Sequence, residues 1–153
     1  MSLPTHILVA TDFSEASQPA LRAAAAQAAA SGSKISLAHV FDPTPMVPPA
    51  AIPAPRRMED SIAKELSQKV EEELTRIRQA VFPEVGDVQV VPLRHANAAF
   101  ALCEYAENNG VDLIVLGTHG RTGLKHLLIG SVAERVVRHA HCPVLTVPAP
   151  HPG

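Results

Sequence analysis

The chain has 153 residues, 13 basic against 15 acidic, and a net charge of −2 with neutral histidines, which is the size of one ordinary domain near charge balance. That balance argues against general affinity for nucleic acid or acidic membranes, and one Tyr with no Trp argues against base-stacking platforms. No run approaches the roughly 18 consecutive apolar residues of a membrane-spanning helix.

The first six residues, Met1 to His6, carry neither the basic nor the apolar region of a secretory leader, so a cytoplasmic location is expected. Cys103 and Cys142 are too few and too scattered for a disulfide framework and read as packing thiols.

Ile7 to Ala10 is a short apolar run, read as a strand buried on both faces. It ends at Thr11-Asp12-Phe13-Ser14. Ser14 or Ser17 is expected to cap the next helix, with Pro19 confined to its first turn. That helix holds Leu21 and Arg22 to Ala30 and stops at Ser31-Gly32-Ser33. Lys34 to Val40 is the second strand. His39 there falls in phase with Ile35 and Leu37, which reads as a hydrogen-bonded core histidine rather than a ligand.

Residues 41–55 contain Pro43, Pro45, Pro48, Pro49, Pro53 and Pro55 and can form neither a helix nor a central strand. They read as a long loop, either a plain connector or a segment that covers a ligand or meets a partner. Glu59 to Phe82 is an amphipathic helix with its stripe at Ile62, Leu66, Val70, Leu74, Ile77 and Val81. Its charged residues read as a solvated face. Val88 to Leu93 is a third strand, marked as an edge by Pro92. A third helix runs from Ala98 to Asn109 and closes at Gly110.

Val111 to Leu116 is the fourth strand, apolar apart from Asp112. A glycine-rich loop follows, with Gly117, Gly120 and Gly123 free to take positive φ or to lie against a ligand. Ser131 with Glu134 three residues on is a capping-box pattern opening the helix Val132 to His139. A helix start at Gly130 and Ser131 gathers N–H groups and the positive end of the helix dipole, which suits a phosphate. Pro143 to Val147 is the last strand. The alternation of strands and helices predicts an α/β fold, a parallel sheet covered on both faces. Ligands of such sheets bind beyond the carboxyl ends of the strands, where the winding reverses. With strands one and four as central neighbours, Asp12 and the Gly117 loop share one crevice. The whole chain, 1–153, is expected to form a single domain with a frayed tail at 149–153.

Neither common phosphate fingerprint is present. The turn after strand one is not Gly-x-Gly-x-x-Gly, and Ser31-Gly32-Ser33-Lys34 precedes a strand instead of joining strand to helix. The spacing that does occur is Gly117-x-x-Gly120, nine residues, then Gly130-Ser131. With Ile7 to Ser14 and Cys142 to Val147, it makes nearly the whole chain resemble the universal stress protein family in its nucleotide-binding branch. The resemblance implies a five-stranded parallel sheet of order 3-2-1-4-5, flavodoxin-like, that binds ATP. It implies that Asp12, with Ala10 and Thr11 beside it, bonds the ribose or adenine, and that Val40 holds the adenine edge through its backbone. Leu116, Gly117 and Gly120 would line the ribose and first phosphate, with Thr118 and His119 beside them. Gly130, Ser131 and Val132 would cradle the outer phosphates. It also implies a homodimer through the last strand, Pro143 to Val147, whose apolar edge invites a partner.

Arg121 and Lys125 could meet phosphate oxygens or serve only solubility. The histidine pairs 119/126 and 139/141 lack the third and fourth ligands of a zinc site. Mg²⁺ carried by ATP suits the site better. No nucleophile stands beside a base, and no acid is paired for attack on a γ-phosphate. The favoured reading is an ATP-binding stress-response protein that signals to an unknown protein partner. The alternatives are a slow ATPase or nucleotide-transfer enzyme on the same fold, and a dimeric interaction module with an empty crevice.

Overall fold

The computed structural model describes residues 2–44, 56–119 and 129–150. Most of the proline-rich loop, the glycine loop from Gly120 to Leu128 and the last three residues lie outside the described residues, so the expectations placed on them have no structural counterpart here. In order, the elements are β1 (His6–Ala10), α1 (Gln18–Ser31), β2 (Lys34–Phe41), α2 (Arg56–Val81), β3 (Val88–Arg94), α3 (Ala98–Asn108), β4 (Leu113–Gly117), α4 (Ser131–His139) and β5 (Val144–Val147). A single 3₁₀ turn, Glu15–Ser17, precedes α1.

The strands form one five-stranded sheet in the order β3-β2-β1-β4-β5, parallel at every pairing. The winding runs outward from β1 to β3, then restarts on the other side with β4 and β5, so the reversal lies between β1 and β4. Pro92 sits in the edge strand β3, where a missing N–H costs the sheet nothing.

Strand periodicity divides the core into two layers. Ile7, Val9, Ile35, Leu37 and Val115 pack with Leu21, Ala24 and Ala28 of α1 and with Val70 and Leu74 of α2. The alternate residues Leu8, Ala38, Ile114 and Leu116 pack with Ala99, Leu102 and Ala106 of α3 and with Ala133 and Val136 of α4. The alanine run of α1 thus sets a close approach of helix to sheet, and the stripe of α2 faces inward as its period requires.

Several local readings are corrected. Helix α2 begins at Arg56, three residues before the expected Glu59. Strand β4 begins at Leu113 and reaches Gly117, because Asp112 is drawn away to serve as a clamp. Its carboxylate accepts the Thr5 N–H on both oxygens (3.0 and 2.9 Å), the His6 N–H (3.0 Å) and the Thr5 hydroxyl (2.9 Å). Burial by itself pushes the Asp112 carboxyl up, but the His6 and Thr5 donors outweigh it and hold it below its ordinary value. Neither Ser14 nor Ser17 caps a helix through its side chain; Ser17 Oγ donates instead to the Ser14 carbonyl at 2.7 Å. Asn97 is the side-chain cap of α3, accepting the Phe100 N–H at 3.0 Å.

His6 is buried at the amino end of the sheet. Its Nδ1–H donates to the Asn109 carbonyl (3.0 Å), and the Ser36 hydroxyl donates to Nε2 (2.8 Å). That leaves the Tyr105 hydroxyl as donor to Ser36 at 2.9 Å. Burial, then the charge of Lys34, lowers the His6 pKa, against the opposing pull of the Asn109 carbonyl, Asp112 and Asp87. The folded chain therefore binds fewer protons here than the unfolded chain. This contribution to stability is complete above the ordinary histidine value of about 6.5 and is lost as pH falls from there through the lowered value of the folded chain. His6→Asn keeps a donor toward Asn109 but leaves the Ser36 hydroxyl without its acceptor. It should cost about 1–3 kcal/mol at neutral pH. It should also lose less further stability than the parent between about pH 7.5 and pH 5.5 in urea denaturation. A variant that loses stability over that interval as steeply as the parent contradicts this account.

Candidate functional site

The sheet's reversal opens a crevice of about 380 Å³ at the carboxyl ends of β1, β2 and β4, within the usual range for small-molecule sites. Every described residue expected at the site lines it. These are Ala10, Thr11 and Asp12 from β1 and its exit, Val40 from β2, Leu116 to His119 from β4 and its exit, and Gly130 to Val132 at the start of α4. Gly120 and Arg121 lie outside the described residues, as do Lys125 and His126.

The exit of β1 is a tight hydrogen-bonded turn. Thr11 Oγ1 accepts the Phe13 N–H at 3.0 Å and lies 3.0 Å from Ser17 Oγ. Asp12 Oδ1 accepts both the Ser14 N–H (3.0 Å) and the Ser14 hydroxyl (2.5 Å), an Asx turn that holds the carboxylate at the crevice wall. Phe13 between them is left-handed, with φ 67°.

The opposite wall depends on two glycines, for a reason other than the positive φ expected of the loop. Among the described residues, left-handed glycines occur at Gly32 and Gly110, just beyond α1 and α3. At Gly117 a Cβ would stand 3.3 Å from the Ala16 carbonyl oxygen; at Gly130 it would stand 2.9 Å from the Thr118 carbonyl oxygen and 3.4 Å from His119 Cα. Close backbone approach demands glycine at 130 and favours it at 117. The Gly130 N–H donates to the Thr118 carbonyl, and the Thr118 N–H to the Val147 carbonyl at 3.2 Å, so α4, β4 and β5 are joined at this point.

The capping box does not form. Gly130, extended at φ −73° and ψ 166°, is the cap residue, and Ser131 is the first helical residue. Glu134 is therefore one position too late to reach back; its carboxylate pairs with Arg138 at 2.5 Å, and its N–H makes the first bond of the helix, to the Gly130 carbonyl at 3.0 Å. The N–H groups of Ser131, Val132 and Ala133 consequently have no partner within α4, and all three residues face the crevice. N–H groups at a helix start, with the dipole behind them, suit an anion.

Sequence reasoning missed Ser17, Ala98, Leu102, Ala133 and His39 at this site. Ala98 and Leu102 project from the first turns of α3 and, with Val40 and Leu116, supply an apolar wall. His39 is hydrogen-bonded, as its strand phase suggested, with its Nδ1–H donating to the Thr11 carbonyl at 2.7 Å. It also borders the crevice, which its position next to Val40 at the carboxyl end of β2 could have signalled. Among the described residues no cluster of three or more His, Cys, Asp or Glu could hold a metal ion, and no helix is long and apolar enough to cross a membrane. The crevice thus combines a helix start, a carboxylate and an apolar wall, a combination suited to a molecule with a phosphate at one end and an apolar ring at the other.

Comparisons with known proteins agree with this frame. Universal stress protein MJ0531 of Methanocaldococcus jannaschii is 35% identical over 149 residues, covering 97% of this chain and 85% of the relative. Universal stress protein MJ0577 of the same organism is 30% identical over 154 residues, covering 92% of this chain and 93% of that protein. Its solved structure superposes with a TM-score of 0.79, covering 95% of this chain and 96% of that chain. A universal stress protein solved in complex with cAMP superposes with a TM-score of 0.67 at 27% identity, over 97% of this chain and 100% of that chain. The family model for universal stress proteins matches residues 4–148, and with these relatives it establishes that the chain belongs to the universal stress protein family.

Proposed function

We propose that the crevice binds an adenine nucleotide, ATP in preference to AMP, and that occupancy regulates the contact of a homodimeric cytoplasmic protein with a protein partner. The observation that carries this reading is the start of α4. Ser131, Val132 and Ala133, whose N–H groups have no partner within the helix, line the same crevice as Asp12, and a Cβ on the preceding Gly130 would stand 2.9 Å from the Thr118 carbonyl oxygen. The cAMP complex of a 27% identical family member supports an adenine nucleotide as the ligand class. In this reading Asp12 accepts a hydroxyl or amino hydrogen bond from the nucleoside, Val40 and Leu102 flank the base, and Gly130 to Val132 receive the outer phosphates. ATP would bring Mg²⁺ with it, held by phosphate oxygens and water.

Gly130→Val drives a branched side chain against the Thr118–His119 backbone and so displaces the start of α4. A folded variant should lose at least about tenfold in Mg-ATP affinity, the equivalent of one charge-assisted hydrogen bond. Calorimetric titration checks this, and unchanged affinity rules out the phosphate position.

The homodimer in this reading uses β5. Leu145 is 41% exposed on that edge strand, an apolar edge that a second copy could cover. Leu145→Asp should shift the protein toward monomer on a sizing column. A dimer that is unaffected would put the interface elsewhere.

A further inference from the structure

The left-handed Phe13 identifies a device that holds Asp12 in place. A bulky side chain at φ 67° is strained, and such a residue persists only where its surroundings over-determine it. Two contacts do so. The Phe13 N–H is taken by Thr11 Oγ1 at 3.0 Å. The Phe13 ring packs against the His39 imidazole, with centroids 4.2 Å apart and planes inclined by 34°. The same imidazole donates from Nδ1 to the Thr11 carbonyl at 2.7 Å, a bond that fixes its tautomer. His39 therefore grips the residue before Asp12 through its backbone and the residue after it through its ring. It does so from β2, which is itself anchored to the turn by the bond from the Thr11 N–H to the Ala38 carbonyl at 3.0 Å.

Resting on the nucleotide reading above, we infer that His39 is the positioning residue for Asp12: it brackets the turn Thr11-Asp12-Phe13 and so orients the carboxylate toward the ligand. This separates its role from that of the cradle across the crevice. The cradle is built from α4 and β4, whereas His39 meets the turn from β2.

Two substitutions divide the grip. His39→Asn keeps a donor at the position of Nδ1 and loses the ring; His39→Phe keeps a ring and loses the donor. Each should weaken Mg-ATP binding about tenfold in calorimetry, and each loss should vanish in an Asp12→Ala background, because a residue that acts through another has no effect once that other is gone. In nucleotide-free protein, amide hydrogen exchange at Phe13 and Ser14 should quicken at least about tenfold in His39→Phe, while the amides of α4 keep their protection. Should His39→Phe not fold, Phe13→Gly relieves the strain and removes the opposing ring, and it should reproduce the loss seen with His39→Asn. Parent-like binding and exchange in both His39 variants, or a loss of equal size in the Asp12→Ala background, would overturn the inference. If the parent protein itself fails to bind Mg-ATP, the nucleotide reading falls, and the exchange of Phe13 and Ser14 still decides whether His39 holds the turn.

Discussion

The close approach of Gly130 to the Thr118 carbonyl is the contact on which the functional end of the molecule depends. It brings the first turn of α4 to the carboxyl end of β4, closer than any residue with a Cβ could come. Three consequences follow from that one distance. The chain must be glycine there. The cap position passes from Ser131 to Gly130, so the serine hydroxyl is not consumed in capping the helix. The residues of the first turn, Ser131 to Ala133, then line the crevice at the sheet's reversal.

The rest of the fold delivers a second wall to the same place. Because β1 and β4 are neighbours in a parallel sheet, their carboxyl ends emerge together. The turn after β1 then lies opposite the start of α4. Its conformation is not one the chain would take freely: Thr11, Ser14 and Ser17 bond among themselves, and Phe13 is held left-handed against His39. At the other end of the sheet, Asp112 and His6 use side-chain hydrogen bonds to fix the amino ends of β1 and β4. One end is therefore tied by side-chain hydrogen bonds, while the other carries the crevice.

Much of this was legible in the chain itself. Short apolar runs alternating with helical periods announced the parallel sheet, Pro92 its edge, and the α2 stripe one face of its cover. The glycine spacing pointed to the crevice, since Gly117 and Gly130 both line it and Gly130 leaves no room for a Cβ. The misreadings have physical causes. Ser131 and Glu134 have the right spacing for a capping box, but helix start is decided by the tertiary contact of Gly130, which no local pattern encodes. Asp112 looked like an anomaly in a buried strand because its partners, Thr5 and His6, are more than about a hundred residues away in sequence. His39 was read correctly as a bonded histidine, but strand phase says which face a residue takes, not which turn it will meet. The left-handed Phe13 carried no sequence signal, since phenylalanine disfavours that conformation and adopts it here only through its neighbours.

The claim that the crevice is an outer-phosphate cradle is tested most directly by calorimetric titration of nucleotide-stripped protein with Mg-ATP and then with AMP. The account predicts saturable binding near one nucleotide per chain, tighter for ATP than for AMP, because only ATP reaches the N–H groups of Ser131, Val132 and Ala133. Absence of binding at millimolar Mg-ATP would contradict it.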